Sequence, residues 1–406
     1  MNIGVLGAGV IGVSTAYALA RLGHEVTVID KADQVAMGAS HANGAQLSYA
    51  YIDPFAGPAT RRKIPAYLLG LDPGIHLSPS LKPSYLNWGI QFLCECSPRK
   101  ATDNLKKRSE LAIKSREAIE IFESELPKNA LKRSSVGKLV LAADQQELEA
   151  MRNASQVKAR LGLTTKILSR FECLEHEPAL EGWKEGFVGA TYNDGDTSLD
   201  PITYCEALQY AGTQKFGVAY KFGETILAME WINGATAQVI TDKTNYEFEK
   251  IIVCLGAESQ NVLKNIGTPR PILPMQGYSL TLPVKQPALK TSITDPKSKI
   301  VFTRIEGGIR IAGFMDANIS EAKAQKRALE LKDRAEKLWP DIADYSADPH
   351  FWTNYRPMTP SGLPMIGESV VENIYLNLGH GSLGYTFAAG SAMTIAEIIG
   401  HTKKND

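Results

Sequence analysis

The chain runs to 406 residues, 44% of them hydrophobic, with 44 Lys and Arg balanced by 44 Asp and Glu and a pI near 7.1. That size suits two or three domains with sizeable cores, and an even charge with no basic block argues against a nucleic-acid partner. Its five cysteines, Cys94, Cys96, Cys173, Cys205 and Cys254, lack the density of a disulfide scaffold and the spacing of a zinc site, so reduced thiols and no metal are expected.

Ile3, Val5 and Leu6 read as a buried parallel strand, followed by Gly7, Gly9 and Gly12 in a G-x-G-x-x-G turn that opens a helix. The first glycine permits the tight turn, the second lets a pyrophosphate reach the backbone, and the third lets helix and strand pack closely. Val10 and Ile11 start the helix, whose unpaired N–H groups face the phosphate charge. A second apolar run, residues 26–30, ends in Asp30, which is placed to accept from a ribose hydroxyl, with Lys31 beside it. A terminal acid suits NAD and FAD alike, so the motif leaves that choice open. No targeting segment is visible ahead of this strand, and a cytoplasmic location is expected.

Next comes Gly38-Ala-Ser-His-Ala-Asn-Gly44, where Ser40, Asn43 and Gly44 can gather donors around phosphates or a flavin. Such a cluster directly after the dinucleotide unit favours a long, two-headed cofactor. Residues 64–71 and 88–93 are apolar enough to touch a bilayer surface and equally suit a core. The periodicity predicts helices over 102–126 and over 145–161 after an Asp144 cap. The turn-rich stretch 194–201 reads as a crossing between domains, with Asp196 a turn or cap residue, before a helix over 202–215.

Short strands are expected over 218–222, 225–231, 236–241 and 248–254 and can rejoin the first sheet; the 251–257 ending resembles the later strand that flanks the dinucleotide in two-domain flavoproteins, a resemblance that implies cofactor contacts at Gly256 and Val218. Residues 276–282, 300–304 and 308–313 read as an antiparallel sheet with its turn at 306–308, and 323–339 as an amphipathic helix. Residues 351–367 carry three prolines, with Arg356 just before the first. Gly379, His380, Gly381, Ser382, Leu383 and Gly384 then lead into an apolar helix from Tyr385. A second glycine loop on a helix N-terminus is a second anion site; a reduced flavin needs one and NAD does not, which selects FAD. The longest apolar stretch, residues 385–400, is shorter than the ~20 residues of a membrane span and contains Glu397.

Residues 38–44 resemble the loop after the second strand in the D-amino acid oxidase superfamily. The whole chain resembles bacterial FAD-dependent D-amino acid dehydrogenases of that superfamily, most specifically in Gly277-Tyr278-Ser279-Leu280, Thr303-Arg304, Phe351-Trp-Thr with Arg356-Pro-Met-Thr-Pro360, and Gly379 to Gly384. It departs at Ser361, where the family has an acid, and at Asn354-Tyr355, where it has Gly-Leu.

The resemblance implies a two-domain α/β (α+β) flavoprotein. A Rossmann-like FAD-binding domain would take residues 1–85, 195–270 and 350–406, and a substrate domain on an antiparallel sheet would take 86–194 and 271–349. It implies oxidative deamination: an amino acid with a neutral amine passes its Cα hydrogen as hydride to flavin N5, and water hydrolyses the imino acid to a 2-oxo acid and ammonia. Arg304 is the first choice and Arg356 the second for a bidentate carboxylate clamp. Tyr278 hydrogen-bonds the carboxylate or packs in its strand, Trp352 and Tyr355 line the side-chain pocket, and His380 faces the flavin with its backbone. With no cysteine after Cys254 to form a bond to the flavin, non-covalent FAD is expected. The family also implies a quinone or carrier as electron acceptor, at the cytoplasmic face of a membrane. An oxidase using O₂ on a D-amino acid, glycine, sarcosine or proline, and a non-catalytic dinucleotide-binding module, are the competing readings.

Overall fold

A computed structural model describes residues 1–232, 236–267, 270–285 and 289–402. Its first sheet is built around Asn2–Leu6, which pairs in parallel with Glu25–Asp30 on one side and Lys250–Val253 on the other. Ala219–Phe222 and Ile374–Leu378 extend it, and Met365–Glu368 closes one edge antiparallel. Ile3, Val5, Leu6, Val28, Ile29 and Ile251 are sealed from solvent on both faces, as a parallel sheet between two layers requires. One layer is helical: Val10–Arg21 packs on Pro201–Phe216 and Gly384–Thr402, and Pro98–Glu125 lies across the last. The approach is close enough that a Cβ on Gly390 would stand 2.7 Å from the Ser115 nitrogen. The other layer is a separate antiparallel sheet of Ile226–Ile232, Thr236–Thr241 and Asn245–Phe248. The strands expected over 225–241 therefore do not rejoin the first sheet.

The second sheet has ten strands, eight of them in one path: His350–Met358, Leu273–Leu282, Gly308–Ala317, Ile300–Ile305, Ser292–Asp295, Arg133–Ala142, Gly189–Leu199 and Gln46–Leu47. One face carries Leu280, Ile300, Phe302, Ile309 and Ile311 into a core closed by Glu321–Leu338 and by Trp339, whose ring lies edge-on to Phe302 and Trp183. The opposite face carries Ser279, Thr303 and Arg310, and it is covered by residues 42–46 of the chain that leaves the first sheet.

Three segments sit differently from the sequence division. Residues 350–358, assigned to the FAD unit, are the edge strand of the second sheet; Pro357 lacks an N–H and is tolerated there. Pro98–Glu125, assigned to the substrate unit, packs in the first core through Ala112, Ala118, Ile119 and Phe122. The chain does cross between the units within 194–201, at Asp200, but residues 195–199, assigned to the FAD unit, still belong to a strand of the second sheet, their turn chemistry absorbed by register shifts between Arg133/Ser135 and Val136/Lys138.

Candidate active site

The glycine turn is as tight as its spacing predicts. Gly7 has φ +104°, and a Cβ on Gly12 would stand 1.8 Å from the Gly7 carbonyl oxygen, so neither position admits a side chain. The Asp30 carboxylate accepts from Ala8 N at 2.6 Å and from Ala32 N at 2.8 Å, tying the turn to the end of the second strand. Ser40 Oγ accepts from Val10 N at 3.0 Å and lies 3.4 Å from where a Gly9 Cβ would be, so the 38–44 loop folds back over the helix start. Asn43 bends that loop by accepting from Ala45 N at 2.8 Å, and Gly44 lies against Val301 and Ala312. Ile11 is half-buried against the first core. Lys31 is paired with Glu258 on the surface. Gly256, φ +56°, follows the Lys250–Val253 strand that flanks the turn. Val218 is sealed in the first core, its side chain packed toward Gly212.

The second glycine loop turns with Gly379 at φ +81° and Gly381 at φ +59° before Gly384–Thr402 begins. Ser382 is exposed and Leu383 half-buried there. His380 is buried and bridges through its backbone to Met358, while its ring Nε2 has no hydrogen-bond partner. Burial pushes its pKa down to about 3, so the ring is neutral. Trp352 Nε1 and His41 Nδ1 also lack partners, and their rings lie 4.3 Å apart between centroids. A cradle with no room for Cβ atoms and buried ring nitrogens without partners fit a bound dinucleotide whose polar edge reaches residues 350–384.

The two candidate arginines do not meet. Arg304 is exposed and follows the parity of Phe302, away from Thr303 and the covering loop. Three strand spacings, roughly 14 Å, separate its strand from that of Arg356. Arg356 is half-buried; its Nη1 donates to the Phe314 carbonyl at 2.7 Å, and Nε and Nη2 make no hydrogen bond among the described residues. Phe314 can offer that carbonyl because it sits at φ +56° in a strand irregularity. Burial lowers the Arg356 pKa, and nearby Asp316 opposes the shift.

Tyr278 lies in the second core, and its hydroxyl donates to Asp316 at 2.9 Å; Asp316 also accepts from Arg327 Nε at 2.9 Å. Burial pushes the phenol far above its ordinary pKa. Its oxygen is therefore engaged beneath Arg356 rather than exposed for a carboxylate. Trp352 lies against His41, the rings tilted by 38°, on the arginine's side of the strand, and Tyr355, 49% exposed, lies on the other. Sequence reading missed Arg310, which is buried and donates to Asn43 O at 3.0 Å and to Thr281 Oγ1 at 2.7 Å, fixing the covering loop. The alternation through 308–313 placed it on the Thr303 face, which was the available signal.

Residues 2–398 match the family described as FAD dependent oxidoreductase. The chain is 34% identical to D-amino acid dehydrogenase 2 of Ralstonia nicotianae, over 98% of this chain and 96% of that one. It is 33% identical to the D-amino acid dehydrogenase of Vibrio cholerae, over 99% and 95%. The solved glycine oxidase from Geobacillus kaustophilus shares the fold with a TM-score of 0.73 at 20% identity, covering 98% of this chain and 94% of that one.

Proposed function

This chain belongs to the FAD dependent oxidoreductases, and from that membership we propose that it converts D-amino acids to 2-oxo acids and ammonia, with Arg356 as the group that binds the substrate carboxylate. The observation that carries the residue-level reading is the Arg356 guanidinium, held at one corner by Phe314 O with Nε and Nη2 left unbonded on the side of the covering loop. FAD supplies the two-electron oxidant for the Cα hydrogen. The cradle at residues 7–12 and the loop at 379–384 hold it, with Asp30 and Ser40 fixing the turn from behind. Arg356 gives the carboxylate charge and direction together, which sets where Cα lies. Asp316, gripped by Arg327 and Tyr278, keeps Arg356 charged in its half-buried place. His380, buried and with its pKa pushed down to about 3, stays uncharged near neutral pH.

The electron acceptor we infer is a lipid-soluble quinone reached at a membrane surface. No helix among the described residues is long and apolar enough to cross a membrane. Helix Pro83–Glu95 is instead apolar on two sides: Trp88 and Phe92 face inward, while Leu86, Ile90 and Leu93 are exposed. Leu69, Leu71 and Leu81 join them at 72%, 73% and 90% exposure, beside exposed Arg61, Arg62, Lys63 and Lys82. Exposed apolar side chains with cations near them in the chain suit an anionic lipid surface. Trp88 Nε1 donates to Met358 O at 2.8 Å, so this face is braced on the strand that carries Arg356. The test is product analysis. With D-alanine and a dye acceptor, pyruvate and ammonia should appear in equal amounts, and no product from any D-amino acid would overturn the reading.

A further inference from the structure

The segment that covers the second sheet is gripped along its length by three charged side chains from one side. Lys138, on Arg133–Ala142, donates to Gln46 Oε1 and to Ser48 Oγ, both at 2.8 Å, and its Nζ stands 4.5 Å from the centre of the Tyr51 ring. Asp196, on Gly189–Leu199, accepts from Tyr49 N at 2.8 Å and Ala50 N at 3.4 Å. Lys158, on Gln145–Ala159, donates to Ala50 O at 3.1 Å and Asp53 Oδ2 at 2.5 Å. Leu47 and Ile52, which none of the three holds, are buried in the first core.

On its other side the segment meets the helix that opens from the second glycine loop, where Ser48 N donates to Thr386 Oγ1 at 3.0 Å; Gln46 Nε2 donates to Thr303 Oγ1 at 2.9 Å, on the same sheet as Lys138. Lys138 thus reaches both Thr303 and the start of that helix through a single intervening residue each time.

Lys138 is 3% exposed and Asp196 2%, yet no carboxylate lies within salt-bridge distance of Lys138 among the described residues. Burying an ammonium without a direct counter-ion costs the fold more than neutral hydrogen-bonding residues would. Burial pushes Lys138 down to about 8 and Asp196 up to about 6, and each opposes the other's shift. The charged or titratable groups that share their cavity are Tyr51, Asp53, Glu147 and Lys158. That cavity of about 300 Å³ lies behind residues 50–53, giving Tyr51 space to fall away from the sheet if its hold is lost.

We propose that Lys138 and Asp196 are positioning residues: acting on residues 46–51, they hold that segment against Thr303 and Thr386 as a wall of the FAD site and so set the geometry of substrate oxidation. The part concerning oxidation rests on the proposed function; the part concerning FAD does not.

The full chain is compared with Lys138→Met, Lys138→Arg and Asp196→Asn in two measurements: FAD titration of the apoprotein, and the anaerobic rate of flavin bleaching at saturating D-alanine. Lys138→Met and Asp196→Asn should weaken FAD at least fivefold and slow bleaching at least tenfold, with the substrate half-saturation within threefold. Lys138→Arg, whose longer cation the cavity can accommodate, should stay within threefold of the parent on both counts. Wild-type values in Lys138→Met overturn the proposal. So does equal impairment of Lys138→Met and Lys138→Arg with matching losses of melting temperature, which would mean packing alone. If no amino acid bleaches the parent protein, the proposed function fails while the FAD titration still decides the clamp.

Discussion

Arg356 lies directly over Gly277: a Cβ built on that glycine would stand 2.6 Å from the guanidinium carbon and from Nη2. The glycine thus sets where the guanidinium rests, and the backbone there needs no unusual φ. Gly277→Ala should leave the fold intact, because the far end of a long side chain can shift, yet displace the carboxylate clamp. The expected result is a rise in substrate KM of roughly tenfold with melting within a few degrees of the parent; an unchanged KM would remove Arg356 from that role.

Truncation separates the two arginines. Losing a charge-assisted bidentate contact costs about 3–4 kcal/mol, or roughly 10²- to 10³-fold in kcat/KM, and Arg356→Ala should show it. Arg304→Ala removes an exposed side chain on the opposite face and should change kcat/KM less than threefold. Steady-state kinetics on both variants decide the assignment, and the reverse ranking would restore Arg304.

His380 also makes stability depend on pH. Its folded pKa is pushed down from 6.5 to about 3, so the unfolded chain takes up a proton that the folded chain refuses. The contribution is intact above about 6.5 and is lost as pH falls toward about 3, amounting to about 2 kcal/mol between 6.5 and 5. Melting of His380→Gln should therefore fall less between pH 7 and pH 5 than melting of the parent. Parallel curves would show that the ring is not held neutral.

The lipid-facing reading is tested by sedimentation with vesicles. The parent should pellet with vesicles rich in anionic lipid and less with neutral ones, and Leu69→Asp with Ile90→Asp should abolish pelleting while dye-linked turnover persists. Equal recovery in the supernatant with and without vesicles would refute a bilayer contact.

What was legible in the sequence was mostly local. The cradle at residues 2–30 depends on glycines that no side chain can replace, and its strand, turn and helix follow in order. The second glycine loop announced itself in the same way. Choosing between Arg304 and Arg356 required strand parity, which depends on Phe302 entering the core; nothing near Arg304 reports that. Tyr278 looked ready for a ligand because Asp316, its partner 38 residues on, is brought to it only by pairing of the two strands. Val218 follows a left-handed Gly217 and falls into the first core. Lys138 gave no signal, since its partners lie some 90 positions earlier.

The most direct measurement is the visible spectrum of the FAD-loaded protein mixed anaerobically with D-alanine or L-alanine. Bleaching of the flavin band by D-alanine alone, lost in Arg356→Ala and reversed by a quinone faster than by air, is the predicted result. Bleaching by L-alanine alone, or equal bleaching in Arg356→Ala, would contradict the account.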